Sequence, residues 1–321
     1  MTDVIKGKMQ IQNTVIIITY NQEHLIGRAL DSVLCQKEFV YEIIVSDDCS
    51  TDKTWEVIEE YKKKYPNIIK PFRNTVNMGI FEHLEVVRTR ARGDVIWITG
   101  GDDEYTNGIF EVANKLIEKN SIDLAHEAFV LYFDYKTIDP NGKEAVFRNN
   151  LIEHYEPIGL KIRQLIQNRT VGFSRKILGK FYPVRKDIGI FADGLMDIQL
   201  QIFSDKNYYC RFIGSIYHTN IGISSRSNKS SLYESSIKSL KQLESDIPNI
   251  SKEDKQWLNY RKIQCSNLYH PTFENYLLYL KYFFIVIQKY YGWKFIVREF
   301  KYIMRDAIRL ILFTLKLRKR T

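Results

Sequence analysis

Short runs of β-branched residues, separated by stretches of helical periodicity, constrain the fold of this chain more than any other feature. The runs are Val15–Ile18, Glu42–Val45 and Val95–Ile98, with the pair Ile68 and Ile69 between the last two. Each run is too short for a helix and is bounded by polar residues, which is typical of a buried strand. The sequence therefore predicts several short strands in its first third.

The stretches between these runs predict helices. Apolar residues recur at helical spacing from Leu25 to Val33 and again from Val57 to Tyr65, where Pro66 ends the pattern. Strands that alternate with helices at this spacing predict an α/β fold with a largely parallel sheet.

The chain is long enough to bury a core without disulfides or a structural metal. Its 321 residues correspond to one large domain or two, and 45% of them are hydrophobic. No apolar run approaches the roughly 20 residues of a membrane-spanning helix, and Met1–Asn13 lacks the apolar core of a secretory signal, so we expect a cytoplasmic protein. The cysteines are scattered, which indicates reduced thiols and argues against a cysteine-based zinc site: Cys35, Cys49, Cys210 and Cys265.

Polar side chains follow three of the predicted strands where each strand ends. They are Thr19–Asn21, the pair Asp47 and Asp48, and the pair Asp102 and Asp103. Ligands of open α/β sheets bind beyond the carboxyl ends of the strands, so we expect these side chains to line one crevice. Four carboxylates there would repel one another unless a cation, a hydrogen-bond donor or a ligand offsets their charge.

The residue types in these clusters indicate chemistry on a diphosphate. Oxygen ligands without cysteine favour Mg²⁺ or Mn²⁺, which proteins hold with one or two carboxylates plus phosphate oxygens. Hydride transfer is disfavoured because no Gly-x-Gly-x-x-Gly segment follows the first run.

Each cluster taken alone also has a purely structural interpretation. Asp47–Asp52 can be a turn whose side chains cap the next helix, Gly100–Asp103 can be a tight turn, and Thr19–Asn21 can be an ordinary helix entry. The order and spacing of the three clusters together favour a binding site.

Four segments of the sequence resemble the family 2 glycosyltransferases, which have the GT-A fold. The segments are Val15–Asn21, Ile43–Asp52, Asn77–Gly79 and Arg92–Glu104. The resemblance is specific over about residues 11–120 and looser beyond them, to about residue 225. It implies an inverting enzyme that uses a nucleotide-diphosphate sugar.

The resemblance also implies a domain organisation. Residues 1–225 would form the GT-A catalytic domain, with a nucleotide-binding half at about 11–120 and an acceptor half at about 121–225. Beyond the resemblance, the composition of residues 226–321 predicts a helical, basic and aromatic-rich region that associates with a membrane.

The same resemblance implies roles for the polar clusters. Thr19, Tyr20 and Asn21 would line the nucleotide pocket, and Asp48 would accept from the uracil imide N–H with Asp47 beside it. Asn77, Gly79 and Asp102 would complete the nucleotide-binding set. A Mn²⁺ or Mg²⁺ ion would bind chiefly Asp103, with support from Asp102. The first Asp of the commonest family pattern falls on Gly100, as in a Gly-Asp-Asp variant that some relatives carry.

An inverting transfer needs a carboxylate base, and the resemblance implies one at the start of a helix in the second half. Asp193 fits, although the family's more common Glu-Asp pair is Ala192–Asp193 here. Asp197 is the second choice, four residues on and on the same helix face. The structural alternatives are an N-cap for Asp193 and a solvated helix residue for Asp197. His218, after a predicted strand, is either structural or a diphosphate contact.

The C-terminal region carries the whole charge excess of the chain. The formal net charge is +9, and residues 281–321 hold 11 Lys and Arg against 2 Asp and Glu, which gives 11 − 2 = +9. Apolar residues opposite the basic ones predict an amphipathic helix from Trp293 on: Ile296, Phe300, Ile303, Ala307 and Ile311 against Lys294, Arg298, Lys301, Arg305 and Arg309.

Two interpretations of this helix remain open. It either lies on the inner face of the cell membrane or packs its apolar stripe on the domain and leaves a solvated basic face. We expect the membrane contact, since the basic cluster Lys316–Arg320 has no apolar surface of its own. No nucleic-acid recognition motif accompanies the charge, so we expect no nucleic-acid partner.

We therefore expect a metal-dependent glycosyltransferase that uses a nucleotide-diphosphate sugar, namely a UDP-sugar. The resemblance implies that the acceptor is a glycan or lipid-linked saccharide of a bacterial surface polysaccharide. Two alternatives stay open. One is a membrane-associated sugar-nucleotide-binding protein of the same fold without catalysis. The other is a nucleotidyltransferase, disfavoured because no Gly-rich segment with a Lys follows the first run.

Overall fold

A computed structural model describes most of the chain. The described residues are 11–148, 170–181, 183, 188, 193–221, 229–247, 250–269, 272–290, 297, 300–301, 303–308 and 310–311.

One mixed sheet organises the first of two compact units. Its strands are β1 (Asn13–Thr19), β2 (Val40–Asp47), β3 (Ile69–Arg73), β4 (Val95–Gly100), β5 (Glu104–Tyr105), β6 (Phe129–Ile138), β7 (Glu144–Phe147), β8 (Val171–Ser174) and β9 (Lys206–His218). Their order is β3-β2-β1-β4-β8-β6-β9-β5, and β7 pairs with β6. The carboxyl ends of β1, β2 and β4 therefore lie next to one another.

The helices follow the strands of the first unit and then form the second unit. They are α1 (Ile26–Leu34), α2 (Thr54–Lys64), α3 (Ile80–Arg88), α4 (Ile109–Lys119), α5 (Arg175–Leu178), α6 (Asp193–Phe203), α7 (Lys229–Asp246), α8 (Lys252–Tyr269) and α9 (Phe273–Tyr290). The described positions within 297–311 are also helical. A 3₁₀ turn, Lys37–Phe39, precedes β2.

The predicted strands and helices of the first third are confirmed, and so is the α/β fold class. β1 to β4 are parallel, as expected, but β8 runs antiparallel to both β4 and β6, so the whole sheet is mixed. Apolar runs do not encode strand direction, because buried parallel and antiparallel strands both appear as short apolar segments.

Burial of both faces explains why the first strands are apolar along their length. Val15, Ile16 and Ile17 of β1 are fully buried, as expected for a central strand covered on both sides. Trp97 of β4 is also fully buried, and its indole nitrogen donates to Asn13 Oδ1 at 2.9 Å. These contacts fix the position of β1 and β4, whose ends carry two of the polar clusters.

The second unit contains α7, α8, α9 and the described residues of 297–311, and the first six residues of α6 group with it. Its core includes Tyr260, Tyr279, Phe283 and Ile303. Among the helices of the described residues, none combines the length and the hydropathy that crossing a lipid bilayer requires. The domain boundary expected between residues 225 and 226 lies outside the described residues.

All four cysteines are free thiols, as predicted.

Candidate active site

The ends of β1, β2 and β4 bring the three polar clusters together. Thr19, at the end of β1, lies opposite Asp47 of β2, and Ile18 lies opposite Gly100 of β4. The pairing continues past the strand ends, since Asp48 N donates to Thr19 O at 2.9 Å. The three clusters expected to line one crevice therefore lie side by side at the carboxyl edge of the parallel strands.

Asn21 links the turn after β1 to the turn after β2. Its backbone N donates to Ser50 Oγ at 2.9 Å, and its Oδ1 accepts from Thr51 N at 2.8 Å. Its φ of 53° is left-handed, a region that Asn tolerates better than most residues. Thr19 is buried, whereas Tyr20 is 39% exposed, so the Tyr20 ring is accessible at this edge.

The Asp47 carboxylate is fully buried and is neutralised within the protein. It accepts from the Ser50 hydroxyl and backbone N, and Arg73 Nε lies 3.1 Å from its Oδ2. Arg73 also donates to Ser50 O at 2.8 Å and lies over the Trp55 ring. Asp47 therefore fixes the turn after β2, and a direct contact between Asp47 and a nucleotide stays a prediction.

The Asp48 carboxylate organises the segment 74–79. Its Oδ1 accepts from Asn74 Nδ2 at 2.8 Å and Met78 N at 2.9 Å, and its Oδ2 accepts from Gly79 N at 2.8 Å. Asn77 Oδ1 shares the same Gly79 N–H at 3.2 Å. A carboxylate has about four lone-pair sites, so Asp48 has room for one further donor beyond these three.

Gly79 permits the bend that begins α3. Its φ is +80°, a conformation that residues with a Cβ rarely adopt. Asn77 and Gly79 are both expected to bind the nucleotide. Their hydrogen bonds place both residues beside Asp48.

Gly100 leaves a space that the Asp102 carboxylate fills. A Cβ at position 100 would lie only 2.5 Å from Asp102 Oδ1. Gly100, which replaces the Asp of the common family pattern, therefore allows the Asp102 carboxylate to lie over the end of β4.

Arg28 and His218 surround the acidic residues after β4. Asp103 Oδ1 accepts from His218 N at 3.1 Å, and His218 Nε2 lies 2.6 Å from Glu104 Oε1. Arg28 Nε lies 3.0 Å from the same Glu104 oxygen, and Arg28 Nη2 donates to Asp102 O at 2.8 Å. The sequence interpretation gave no role to Arg28 or Glu104, since their only sequence signal was proximity to the clusters.

The repulsion expected among four carboxylates is offset by protein groups at three of them. Arg73 pairs with Asp47, three N–H donors bind Asp48, and the His218 backbone binds Asp103. Hydrogen-bond donors and one cation thus stabilise this acidic edge, as electrostatics requires.

The donor set at the end of β4 fits a divalent cation. Asp102 and Asp103 are adjacent oxygen donors, and the Asp102 carboxylate lies over Gly100 at the strand end. Among the residues that the structure describes, no group of three or more His, Cys, Asp or Glu forms a complete metal cage. The site therefore offers two carboxylates, and Mg²⁺ is commonly bound by one or two carboxylates together with the phosphates of a substrate.

His83 of α3 lies beside the acidic edge and is buried, with its Nε2 2.6 Å from Ser46 Oγ. Burial lowers the pKa of His83 below 6.5, against the opposing effect of Asp48 and Asp47. The unfolded chain therefore binds the proton more readily. The stability that the neutral imidazole contributes is complete above about pH 6.5 and is lost as the pH falls towards the folded pKa.

We expect the unfolding free energy of His83→Gln to depend less on pH than that of the unmodified protein between about pH 7 and pH 5. Urea unfolding across this window measures it. His24→Gln, at a side chain 89% exposed, is the control and should leave the slope unchanged. Equal slopes for His83→Gln and the unmodified protein would contradict the expectation.

The two base candidates lie on α6. The described part of α6 runs from Asp193, and the Asp193 side chain lies outside the described part of the structure, so its role as the base stays a prediction. Asp197 is 6% exposed, so the alternative of a solvated surface residue is wrong. Both belong to the portion of α6 that groups with the second unit.

The α/β sheet with polar clusters at the ends of β1, β2 and β4 defines a GT-A fold. The family model of glycosyl transferase family 2 matches residues 14–178, which is more than half of the chain. The chain belongs to this family.

Named relatives and solved structures resemble parts of the chain. The dolichol-phosphate mannosyltransferase of Pyrococcus furiosus is 38% identical over 118 residues, which cover 35% of this chain and 31% of the relative. The crystal structure of S. aureus TarS 1-349 in complex with UDP-GlcNAc has a TM-score of 0.63 at 19% identity, covering 87% of this chain and 81% of that one.

A second solved structure extends the likeness in fold. The mannosyltransferase PcManGT from Pyrobaculum calidifontis, in complex with GDP-Man and Mn²⁺, has a TM-score of 0.52 at 12% identity, covering 93% of this chain and 86% of that one. The curated relatives are matched over only 27% to 41% of their own length.

Proposed function

We propose that this chain is an inverting glycosyltransferase that moves a sugar from a UDP-sugar to a saccharide or lipid-linked acceptor in bacterial surface polysaccharide synthesis. The convergence of the polar clusters at the ends of β1, β2 and β4 carries the proposal. The UDP-GlcNAc complex of TarS supports a uridine nucleotide, and the name of the Pyrococcus furiosus relative supports a lipid-linked acceptor.

The nucleotide binds at the edge formed by β1 and β2. Tyr20 offers an exposed ring to the base, and Thr19 and Asn21 shape the pocket around it. Asp48 accepts from the uracil imide N–H with the lone-pair site that its contacts to residues 74–79 leave. Asp47 holds this pocket in shape through Arg73.

Asp103 and Asp102 would hold a Mn²⁺ or Mg²⁺ ion next to the donor diphosphate. When bound, the ion offsets the negative charge that develops on the departing nucleoside diphosphate. The Mn²⁺ in the PcManGT complex supports this choice of cation.

Asp193 is the general base. It takes the proton of the acceptor hydroxyl while that oxygen bonds to the anomeric carbon and the bond from that carbon to the diphosphate oxygen breaks. The sugar is transferred with inversion, the nucleoside diphosphate leaves, and the proton remains on the carboxylate. Asp197 is the alternative base.

The domain organisation belongs to the proposal as well. Residues 1–225 form the catalytic domain, with the acceptor half after about residue 120. Residues 226–321 form a helical region that keeps the enzyme on the inner face of the cell membrane.

Calorimetric titration with UDP, GDP, CDP and dTDP, with and without Mn²⁺, tests the donor assignment. We expect UDP to bind most tightly and Mn²⁺ to strengthen its binding by at least about tenfold, because the ion would offset the repulsion between the Asp102 and Asp103 carboxylates and the diphosphate. UMP is the matched control, since it lacks the diphosphate and should gain much less from Mn²⁺.

Two results would contradict the donor assignment. Tighter binding of another nucleotide than UDP would overturn the choice of uridine. A folded protein that binds none of the four would mean that the acidic edge is only a scaffold.

A further inference from the structure

Exposed apolar side chains are concentrated in the second unit. Nine of the sixteen large hydrophobic residues exposed in the described structure lie within residues 273–311. They are Phe273, Leu277, Leu278, Phe284, Val297, Phe300, Met304, Ile308 and Ile311, and we call them the C-terminal apolar face. Such a concentration on a soluble surface marks an interaction site.

The apolar residues of 297–311 follow one helical stripe. The exposed ones, from Val297 to Ile311, are spaced 3, 4, 4 and 3 residues apart, which keeps them on one side of a helix. A different side is packed, since Ile303 and Asp306 are buried, with Ile303 in the core of the second unit.

The apolar face predicted from the sequence is therefore divided. Ile303 packs inward, whereas Phe300 is 54% and Ile311 is 59% exposed. The interpretation in which the whole apolar stripe packs on the domain is therefore wrong, because Phe300 and Ile311 are exposed. Other members of the pattern lie outside the described residues: Lys294, Ile296, Arg298, Arg309 and Lys316–Arg320.

α9 shows the same division. Tyr279 and Phe283 are buried in the core of the second unit, whereas Phe273, Leu277 and Phe284 are exposed. Lys281 is also exposed and falls four residues after Leu277 and three before Phe284. The exposed side of α9 is therefore mainly apolar, and it carries one cation, Lys281, and one carboxylate, Glu274.

Basic residues accompany both stripes. Lys301 and Arg305 are exposed next to Phe300 and Met304, and residues 281–321 carry the entire +9 of the chain. Two copies of so basic a surface would repel each other, which disfavours self-association. An anionic bilayer instead offers opposite charge to the lysines and a hydrocarbon boundary to the apolar side chains.

We propose that the C-terminal apolar face docks on an anionic lipid bilayer. Its apolar side chains insert at the boundary between headgroups and acyl chains, while Lys281 and Lys301 contact lipid phosphates. This inference rests on the membrane role proposed above for residues 226–321 and names the residues that make the contact. It does not depend on the proposed catalytic activity, because none of these residues belongs to the candidate active site.

Flotation of the full chain with lipid vesicles tests the proposal. We expect binding to vesicles that contain phosphatidylglycerol, weak binding to pure phosphatidylcholine, and loss of binding at high salt. The variant Phe300→Gln/Met304→Gln/Ile308→Gln should partition at least about tenfold more weakly. Lys281→Glu/Lys301→Glu should lower binding by at least about 30-fold, because about 1 kcal/mol is lost per lysine and the glutamates add repulsion.

The control is Tyr41→Gln/Val146→Gln, which removes exposed apolar side chains from the first unit and should leave flotation unchanged. Thermal unfolding and UDP binding verify that each variant is folded and that any failure is separate from the donor site. Three results would overturn the proposal. They are no binding to anionic vesicles, equal loss in the control, and a concentration-dependent dimer that the glutamine variant abolishes without changing flotation.

Discussion

Asp193→Asn is expected to lower kcat by about 10²- to 10⁴-fold, the usual contribution of a positioned general base. UDP affinity should stay within about twofold, because the substitution removes a proton acceptor and no proposed nucleotide contact. Steady-state kinetics with a UDP-sugar and calorimetric titration with UDP measure the two quantities. A folded Asp193→Asn enzyme with normal turnover would show that another group is the base.

Asp197→Asn is the matched control for this test. It makes the same chemical change four residues along α6, at a side chain that is 6% exposed. We expect it to keep turnover far closer to that of the unmodified enzyme, after correction for any loss of folded protein. If Asp197→Asn instead loses turnover while Asp193→Asn keeps it, the base is Asp197.

Asp103→Asn is expected to remove most of the Mn²⁺-dependent gain in UDP binding, which is about tenfold or more, because ligand charge governs the affinity of an oxygen site for a divalent cation. The amide keeps an oxygen that can accept from His218 N, so the local structure should persist. UDP binding without metal should change little. Titration of UDP with and without Mn²⁺ separates the metal-independent affinity for UDP from the increase that Mn²⁺ causes.

Asp139→Asn makes the same change at the turn between β6 and β7. Asp139 Oδ1 accepts from Asn141 N and Lys143 N at 2.9 Å, contacts that an asparagine oxygen can replace. It should leave Mn²⁺-dependent binding unchanged. If Mn²⁺ strengthens UDP binding to Asp103→Asn as much as to the unmodified enzyme, Asp103 is not a metal ligand.

The local pattern of the sequence was sufficient to place the strands and their polar ends. β1, β2 and β4 each begin within two residues of their predicted apolar runs, and the clusters at their ends are adjacent. This succeeds because side-chain period and strand length are local properties, and because parallel strands joined by helices must align their carboxyl ends.

The partners of the carboxylates could not be found in this way. Arg73 reaches Asp47 from β3, and His218 reaches Asp103 from β9, more than a hundred residues along the chain. No periodicity relates such positions. Only the strand order brings them within hydrogen-bond distance.

The sequence by itself determined the α/β class, the family and the acidic character of the candidate site, because each depends on residue types at short spacing. The tertiary structure decided which carboxylates are neutralised by protein groups, as Arg73 does for Asp47. It also decided which apolar residues of the last helical segment stay exposed, since Ile303 is buried and Phe300 is not. Both outcomes depend on contacts between distant segments, where burial and charge compensation are set by the packed chain rather than by its local pattern.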